Sequence, residues 1–314
     1  MDTTDRFSVS IPDLAALLEI KQESLLKEIQ RLSESKGGKK TGRKAVLGPS
    51  LVREYLEKKG HRFPKSIISV QMLKGGVAKT TTALNLGLRA HMYGARVLWV
   101  DMDQQANLTF ALEKDKDEGP VWVDILEKKA KISEAVVSLA DGLDLIPSNL
   151  NNSVLDRVLL AGHRNLAQAV KGPLSEIREN YDLVIFDTAP NLSAINTAVT
   201  LASDMVLLPI NPDRFSLLGL NKNIDDLAQI RKEFSVNFEE RILFTKFDGR
   251  ETASHELLTK CIESFADRMM KSYIRTSTDV KNSIRSGKTI FDGKSSAKED
   301  YDLVTREILN FHFN

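Results

Sequence analysis

The chain has 314 residues, 42% of them hydrophobic, and its 44 Lys and Arg nearly balance 43 Asp and Glu for a formal net charge of +1. That length can bury a full α/β core and still carry a small second domain. A single cysteine, Cys261, excludes a disulfide framework and a cysteine-rich metal site, and no apolar run reaches membrane length.

The opening residues Met1 to Arg6 have no signal-peptide pattern, so the expected location is a reducing cytoplasm. Ile11 to Leu18 reads as a short helix with Pro12 near its start, Glu19 to Lys21 as a turn, and Gln22 to Leu32 as a second helix. Leu25, Leu26, Ile29 and Leu32 keep helical spacing and bury one face. Pro49 to Lys59 reads as a third helix. From Lys36 to Arg62, nine Lys and Arg face only Glu54 and Glu57. Two short helices and a tight turn suggest a helix-turn-helix, and the basic loop resembles the wing of a winged helix-turn-helix. Lys36, Lys39, Lys40, Arg43 and Lys44 are candidate DNA phosphate contacts. A three-helix docking domain with a solvated linker is the other reading of the same residues. Residues 1–63 are expected to form this small helical domain, and 64–314 a larger α/β domain.

An apolar run from Ser66 to Met72 leads into Leu73-Lys74-Gly75-Gly76-Val77-Ala78-Lys79-Thr80-Thr81, which opens a helical stretch to Met92. A strand, a Gly-rich turn and a helix N-terminus make a phosphate cradle from backbone N–H groups and the helix dipole. Lys74, Gly75, Gly76, Val77, Ala78, Lys79, Thr80 and Thr81 are therefore candidate nucleotide-binding residues. Lys79 would reach the β- and γ-phosphates and the Thr80 hydroxyl would sit on Mg2+. The strict P-loop pattern wants Gly where Leu73 and Ala78 stand. A Cβ at Ala78 restricts the backbone, so a working but slightly altered loop is expected.

A second apolar run, Ala95 to Val100, ends in Asp101-Met102-Asp103-Gln104-Gln105-Ala106-Asn107. A carboxylate at the C-terminal end of a parallel strand lies where such sheets bind ligands; loop capping is the plainer role for Asp101 and Asp103. A third run, Leu183 to Phe186, ends in Asp187-Thr188-Ala189-Pro190, a Walker B pattern that aims one carboxylate at the Mg2+ shell. Met205 to Ile210 reads as another core strand, followed by Phe215-Ser216-Leu217-Leu218-Gly219-Leu220. Ile242 to Phe244 leads into Thr245-Lys246-Phe247-Asp248-Gly249-Arg250.

In this order the motifs resemble the ParA/MinD family of deviant Walker A ATPases, whose loop carries an extra lysine, here Lys74, five residues before Lys79. The match runs from about Ser66 to the C-terminus, with Gln104 and Ala189 each in place of a usual Pro. The resemblance implies an α/β P-loop fold with a mainly parallel sheet flanked by helices, and a Mg2+-dependent ATPase that is weak without a partner. It implies that Lys74 reaches across to a partner subunit's phosphates, that Asp103 orients water, and that Thr80 and Asp187 fix Mg2+. ATP would close a homodimer that binds DNA without sequence preference, through a strip including Arg250. Asp279 stands near a position the family often fills with Arg, so Lys281 and Arg285 are the expected substitutes. A ParB-like centromere-binding protein would trigger hydrolysis, segregating a plasmid or chromosome over the nucleoid. Two other functions fit the same motifs. One is a positioning ATPase for a protein assembly; the other is an ATP-switched transcriptional repressor, against which Asp103 argues. The single cysteine argues against the iron-protein relatives. The tail from Tyr301 to Asn314 holds Arg306 as its only Lys or Arg, so it is expected to dock on the core rather than bind a membrane.

Overall fold

The computed structural model describes residues 7–34, 46–113, 119–162, 164–280, 289–292 and 295–310. Strand β1 (Val9–Ser10), helices α1 (Ile11–Leu17) and α2 (Gln22–Glu34), strand β2 (Val46–Leu47) and helix α3 (Pro49–Lys58) come first. The Ser10 hydroxyl accepts from Asp13 N at 3.2 Å and Pro12 occupies the first turn, which starts α1 where the sequence indicates. The three helices fall within two residues of their expected bounds. The antiparallel pair of β1 with β2, Val9 opposite Leu47, does not follow from the sequence, because two-residue strands carry no readable period.

The rest of the chain continues with β3 (Ser66–Val70), α4 (Lys79–Met92), β4 (Val97–Asp101), α5 (Asn107–Ala111), α6 (Trp122–Leu126) and α7 (Ile132–Ala135). Next come β5 (Val137–Ala140), β6 (Leu143–Ile146), α8 (Leu155–Ala161), α9 (Leu166–Ala169), α10 (Lys171–Ser175), β7 (Leu183–Asp187) and α11 (Ala194–Ala202). β8 (Met205–Ile210), α12 (Arg214–Phe234), β9 (Glu239–Phe244), α13 (Thr252–Phe265) and α14 (Ser296–Ile308) complete it. Seven strands form one sheet in the order β5-β6-β4-β7-β3-β8-β9, parallel throughout except for β5 against β6. Central strands of such a sheet are covered on both faces, which is why they read as unbroken apolar runs. Register then does the positioning: Asp187 lies opposite Val70 on one side and Asp101 on the other. Both carboxylates therefore end at the edge where the phosphate loop begins.

Helix α4 is held against the sheet by a close fit. The Trp99 indole N–H donates to Ala83 O at 2.8 Å, and its ring lies where a Cβ on Gly87 would come within 2.4 Å. Only glycine lets the helix approach this closely. Gly94, at φ +92, plays the same part for the N-terminal helices, since a Cβ there would meet the Arg53 backbone at 2.7 Å. Arg53 donates to Gly94 O at 2.9 Å and pairs with the buried Asp182, which also accepts from Arg96 N at 2.8 Å. Phe7, Ile11, Leu14, Val52 and Leu56 share one hydrophobic core with Leu84, Met92 and Leu309. Fully burying side chains of this kind stabilises by roughly 1.5–3 kcal/mol each.

The tail forms the docking helix that its charge pattern suggested, starting earlier, at Ser296. Its Tyr301 and Val304 are buried. Asp302 pairs with the buried Arg89 of α4 at 2.6 Å, while Lys298 pairs with Asp13 of α1 at 2.8 Å and Arg306 with Glu19 of the turn after it at 3.3 Å. Residues 311–314 lie outside the described residues. Among the described residues no helix is long and apolar enough to cross a membrane.

Candidate functional site

The ends of β3, β4, β7 and β9 surround a cavity of about 940 Å3 lined by Gly75, Gly76, Ala78, Lys79, Thr80 and Thr81, and also by Asp103, Thr245 and Lys246. Lys74 and Val77 do not line it. Val77 is instead packed into the core beside Met72 and Ile210. Ala78 adopts φ 71 and ψ 28, the left-handed region that the sequence flags as a difficulty for a residue with a Cβ, and from there α4 starts. No side chain caps this helix, so its first N–H groups are available to an anion.

Lys79 is 8% exposed, with its ammonium 3.5 Å from Lys74 O. Burial lowers its pKa, while the charges of Asp187 and Asp103 oppose that shift. Asp187 is completely buried, and neither carboxylate oxygen has a hydrogen-bond partner among the described residues. Burial, then the neighbouring Asp101 charge, pushes its pKa well above the usual carboxylate range. The Thr80 hydroxyl and the Lys79 ammonium counter this, although Thr80 makes no well-directed hydrogen bond to it. An orphaned buried carboxylate beside a hydroxyl and a lysine fits a divalent cation with phosphate oxygens. The described residues hold no group of three His, Cys, Asp or Glu able to cage a metal alone. A site of this kind relies on nucleotide phosphates for its remaining ligands.

Asp101 and Asp103 divide the roles that the sequence left open. Asp101 accepts from Thr109 N at 2.9 Å, Thr109 Oγ1 at 2.8 Å and Asp103 N at 3.1 Å, so it organises the loop. Burial still raises its pKa to about 6 against those hydrogen bonds. Asp103 accepts from Gln105 N at 2.9 Å and reaches the cavity wall, where it can act on a bound molecule.

Lys74 is turned to a different partner, its ammonium 2.5 Å from Asp213 and 3.3 Å from the Ser216 hydroxyl. Asp213 is the N-cap of α12, accepting from Ser216 N at 2.9 Å. Nothing in the sequence singles out Asp213, because the pair spans 139 residues. Phe215 and Leu218, near the start of α12, are 74% and 57% exposed.

The candidate DNA contacts Lys36, Lys39, Lys40, Arg43, Lys44, Lys281 and Arg285 lie outside the described residues. Arg250 is exposed, as a phosphate contact requires, yet its guanidinium donates to both oxygens of Asp248 at 2.9 and 2.6 Å. Exposed pairs are weak and exchange readily, so this does not withhold the charge from a phosphate. The wider basic run is less open than its composition suggests. Arg268 pairs with Glu240 at 2.9 Å and Arg275 with Asp300 at 2.7 Å.

The orphaned carboxylate has a measurable consequence. Asp187→Asn replaces a carboxyl whose ionised form burial disfavours, so the nucleotide-free protein should unfold at a midpoint no lower than that of the unaltered protein at pH 7. The same variant should lose Mg2+-dependent turnover. A lower midpoint would mean that Asp187 is satisfied in a way the structure does not show.

Residues 65–240, more than half of the chain, match the protein family described as an AAA domain. A ParA family protein of Chlamydia muridarum is 34% identical over 252 residues, covering 77% of this chain and 96% of its own. The chromosome partitioning protein ParA of Caulobacter vibrioides is 27% identical over 254 residues, covering 79% and 95%. Among solved structures, cobyrinic acid a,c-diamide synthase from Mycobacterium smegmatis, with bound ATP analog and magnesium, is similar at a TM-score of 0.64 and 27% identity. That similarity covers 78% of this chain and 94% of the synthase.

Proposed function

The chain belongs to the ParA family of P-loop ATPases, and from that premise we propose that it is a partition ATPase acting on plasmid or chromosomal DNA. ATP closes two copies face to face, the dimer sits on DNA over the nucleoid, and a ParB-like centromere-binding partner triggers hydrolysis and release. The observation that carries this reading is the pairing of a phosphate cradle with a second lysine outside it. Gly75, Gly76, Ala78, Lys79, Thr80 and Thr81 line the cavity, while Lys74 stays off it and pairs with Asp213 at the start of the helix that exposes Phe215 and Leu218.

ATP is the substrate and Mg2+ the cofactor in this reading. Thr80 and Asp187 would hold Mg2+, which neutralises charge on the β- and γ-phosphates when bound. Lys79 supplies the fixed counter-charge, and its desolvated ammonium interacts strongly with phosphate because little water screens it. Asp103, on the cavity wall, orients the attacking water. Lys74 exchanges Asp213 for the partner copy's phosphates as two subunits close, bringing a cation to the charge that grows in the transition state. Apolar residues exposed around that lysine suit a face that another subunit covers.

Helices α1 and α2 with the β1–β2 pair carry the DNA reading of the N-terminal region. Lys27 and Arg31 are exposed on α2. The N-terminal helices share a core with the rest of the chain, so substitutions test this better than truncation. Lys27→Glu with Arg31→Glu should abolish binding to DNA from upstream of the protein's own gene, while ATP-dependent binding to unrelated DNA persists. Arg250→Glu with Lys281→Glu and Arg285→Glu should do the reverse and flatten the salt dependence, because fewer phosphates are neutralised. Gel shifts across a salt series read both. Unrelated DNA left unbound by the unaltered protein with ATP would favour a protein assembly as the cargo.

A further inference from the structure

We infer that Lys246 is a positioning residue that holds the phosphate loop in its working shape and compensates the strain introduced at Ala78. The inference rests on the ATPase reading above. Ala78 occupies the left-handed region at φ 71, where a Cβ crowds the backbone and an L-residue is disfavoured. A loop under that strain competes with shapes in which Ala78 relaxes, and only the strained shape has the cradle geometry.

Side chains from the ends of β8 and β9 hold this loop by the Gly76 carbonyl. Lys246 Nζ donates to Gly76 O at 2.6 Å, and Asn211 Nδ2 donates to the same oxygen at 3.2 Å. The Thr245 hydroxyl donates to Asn211 Oδ1 at 2.9 Å, which turns the amide nitrogen towards Gly76. Each peptide unit is planar, so fixing the Gly76 carbonyl fixes the Val77 N–H in the cradle. Such N–H groups are the donors that a phosphate loop uses. Lys246 is itself built for the reach: its φ of 54 bends the chain as β9 ends, and its own carbonyl accepts from the Thr276 hydroxyl at 2.9 Å. The ammonium thus acts on ATP through the loop, by keeping the competent shape populated.

Without that hold, the strain at Ala78 is large enough to leave the competent loop about one-tenth populated, which weakens apparent affinity about tenfold. Isothermal titration calorimetry of ATP with Mg2+ on the full chain tests this. Lys246→Met, which keeps the stem and removes the donor, should weaken binding about tenfold, and Lys246→Arg should restore most of it. In an Ala78→Gly background, where the loop is unstrained, the same Met substitution should cost less than about threefold. Equal losses in both backgrounds would place Lys246 on the nucleotide itself and overturn the proposal, as would undiminished affinity in Lys246→Met. Amide hydrogen exchange over residues 75–79 without nucleotide reads the same hold directly, and it should quicken in Lys246→Met at an unchanged thermal midpoint. Unchanged exchange also overturns the proposal. Absence of ATP binding by the unaltered protein would instead defeat the ATPase reading, leaving the exchange experiment to decide the role of Lys246.

Discussion

Lys79→Ala should lower ATP affinity by about a hundredfold or more, the consequence of removing a charge-assisted contact from a desolvated site. The side chain is almost wholly buried at the cavity, and no other described lysine shares its place at the start of α4. Its loss also removes a cation that opposes the raised pKa of Asp187. Calorimetry with ATP and Mg2+ measures the effect. Affinity equal to that of the unaltered protein would mean that the cradle at residues 74–81 is not the nucleotide site.

Asp103→Ala should separate binding from turnover. The carboxylate lines the cavity while accepting only a loop N–H, that of Gln105, among the described residues, so ATP affinity and ATP-dependent pairing of subunits should persist. Phosphate release should fall by roughly 10²–10⁴, the usual contribution of a group that directs proton transfer or water attack. Asp101 offers the contrasting case. Its oxygens are committed to Thr109 and Asp103 N, so Asp101→Ala should cost folding stability as well as activity. Turnover by Asp103→Ala at the ordinary rate would show that another group orients water.

The phosphate loop, the three carboxylates and the central strands were legible because each sits within one short run of residues. Ser66 to Val70, Val97 to Val100 and Leu183 to Phe186 are apolar without alternation, and each is a strand buried between layers. The helices from Ile11 to Lys58 were legible from periodicity and from Pro12 and Pro49. What was not legible depends on contacts between distant residues. Asn211 and Lys246 reach Gly76 across 135 and 170 positions, and Asp213 reaches Lys74 across 139. The β1–β2 pair and the antiparallel β5–β6 edge are too short to carry a pattern. Composition also overstates the basic strip, since it counts Arg268 and Arg275 without the Glu240 and Asp300 carboxylates that meet them. Ala78 is legible as a departure from the loop pattern, and its left-handed backbone explains why the loop needs support from outside.

The central claim is that ATP joins two copies into the form that holds DNA. Analytical ultracentrifugation of the full chain, with a duplex of arbitrary sequence and either ATP or ADP in Mg2+ buffer, tests it most directly. With ATP the protein should sediment as a dimer bound to the duplex, and with ADP as a monomer apart from it. The same mass and the same DNA occupancy in both nucleotides would contradict the account.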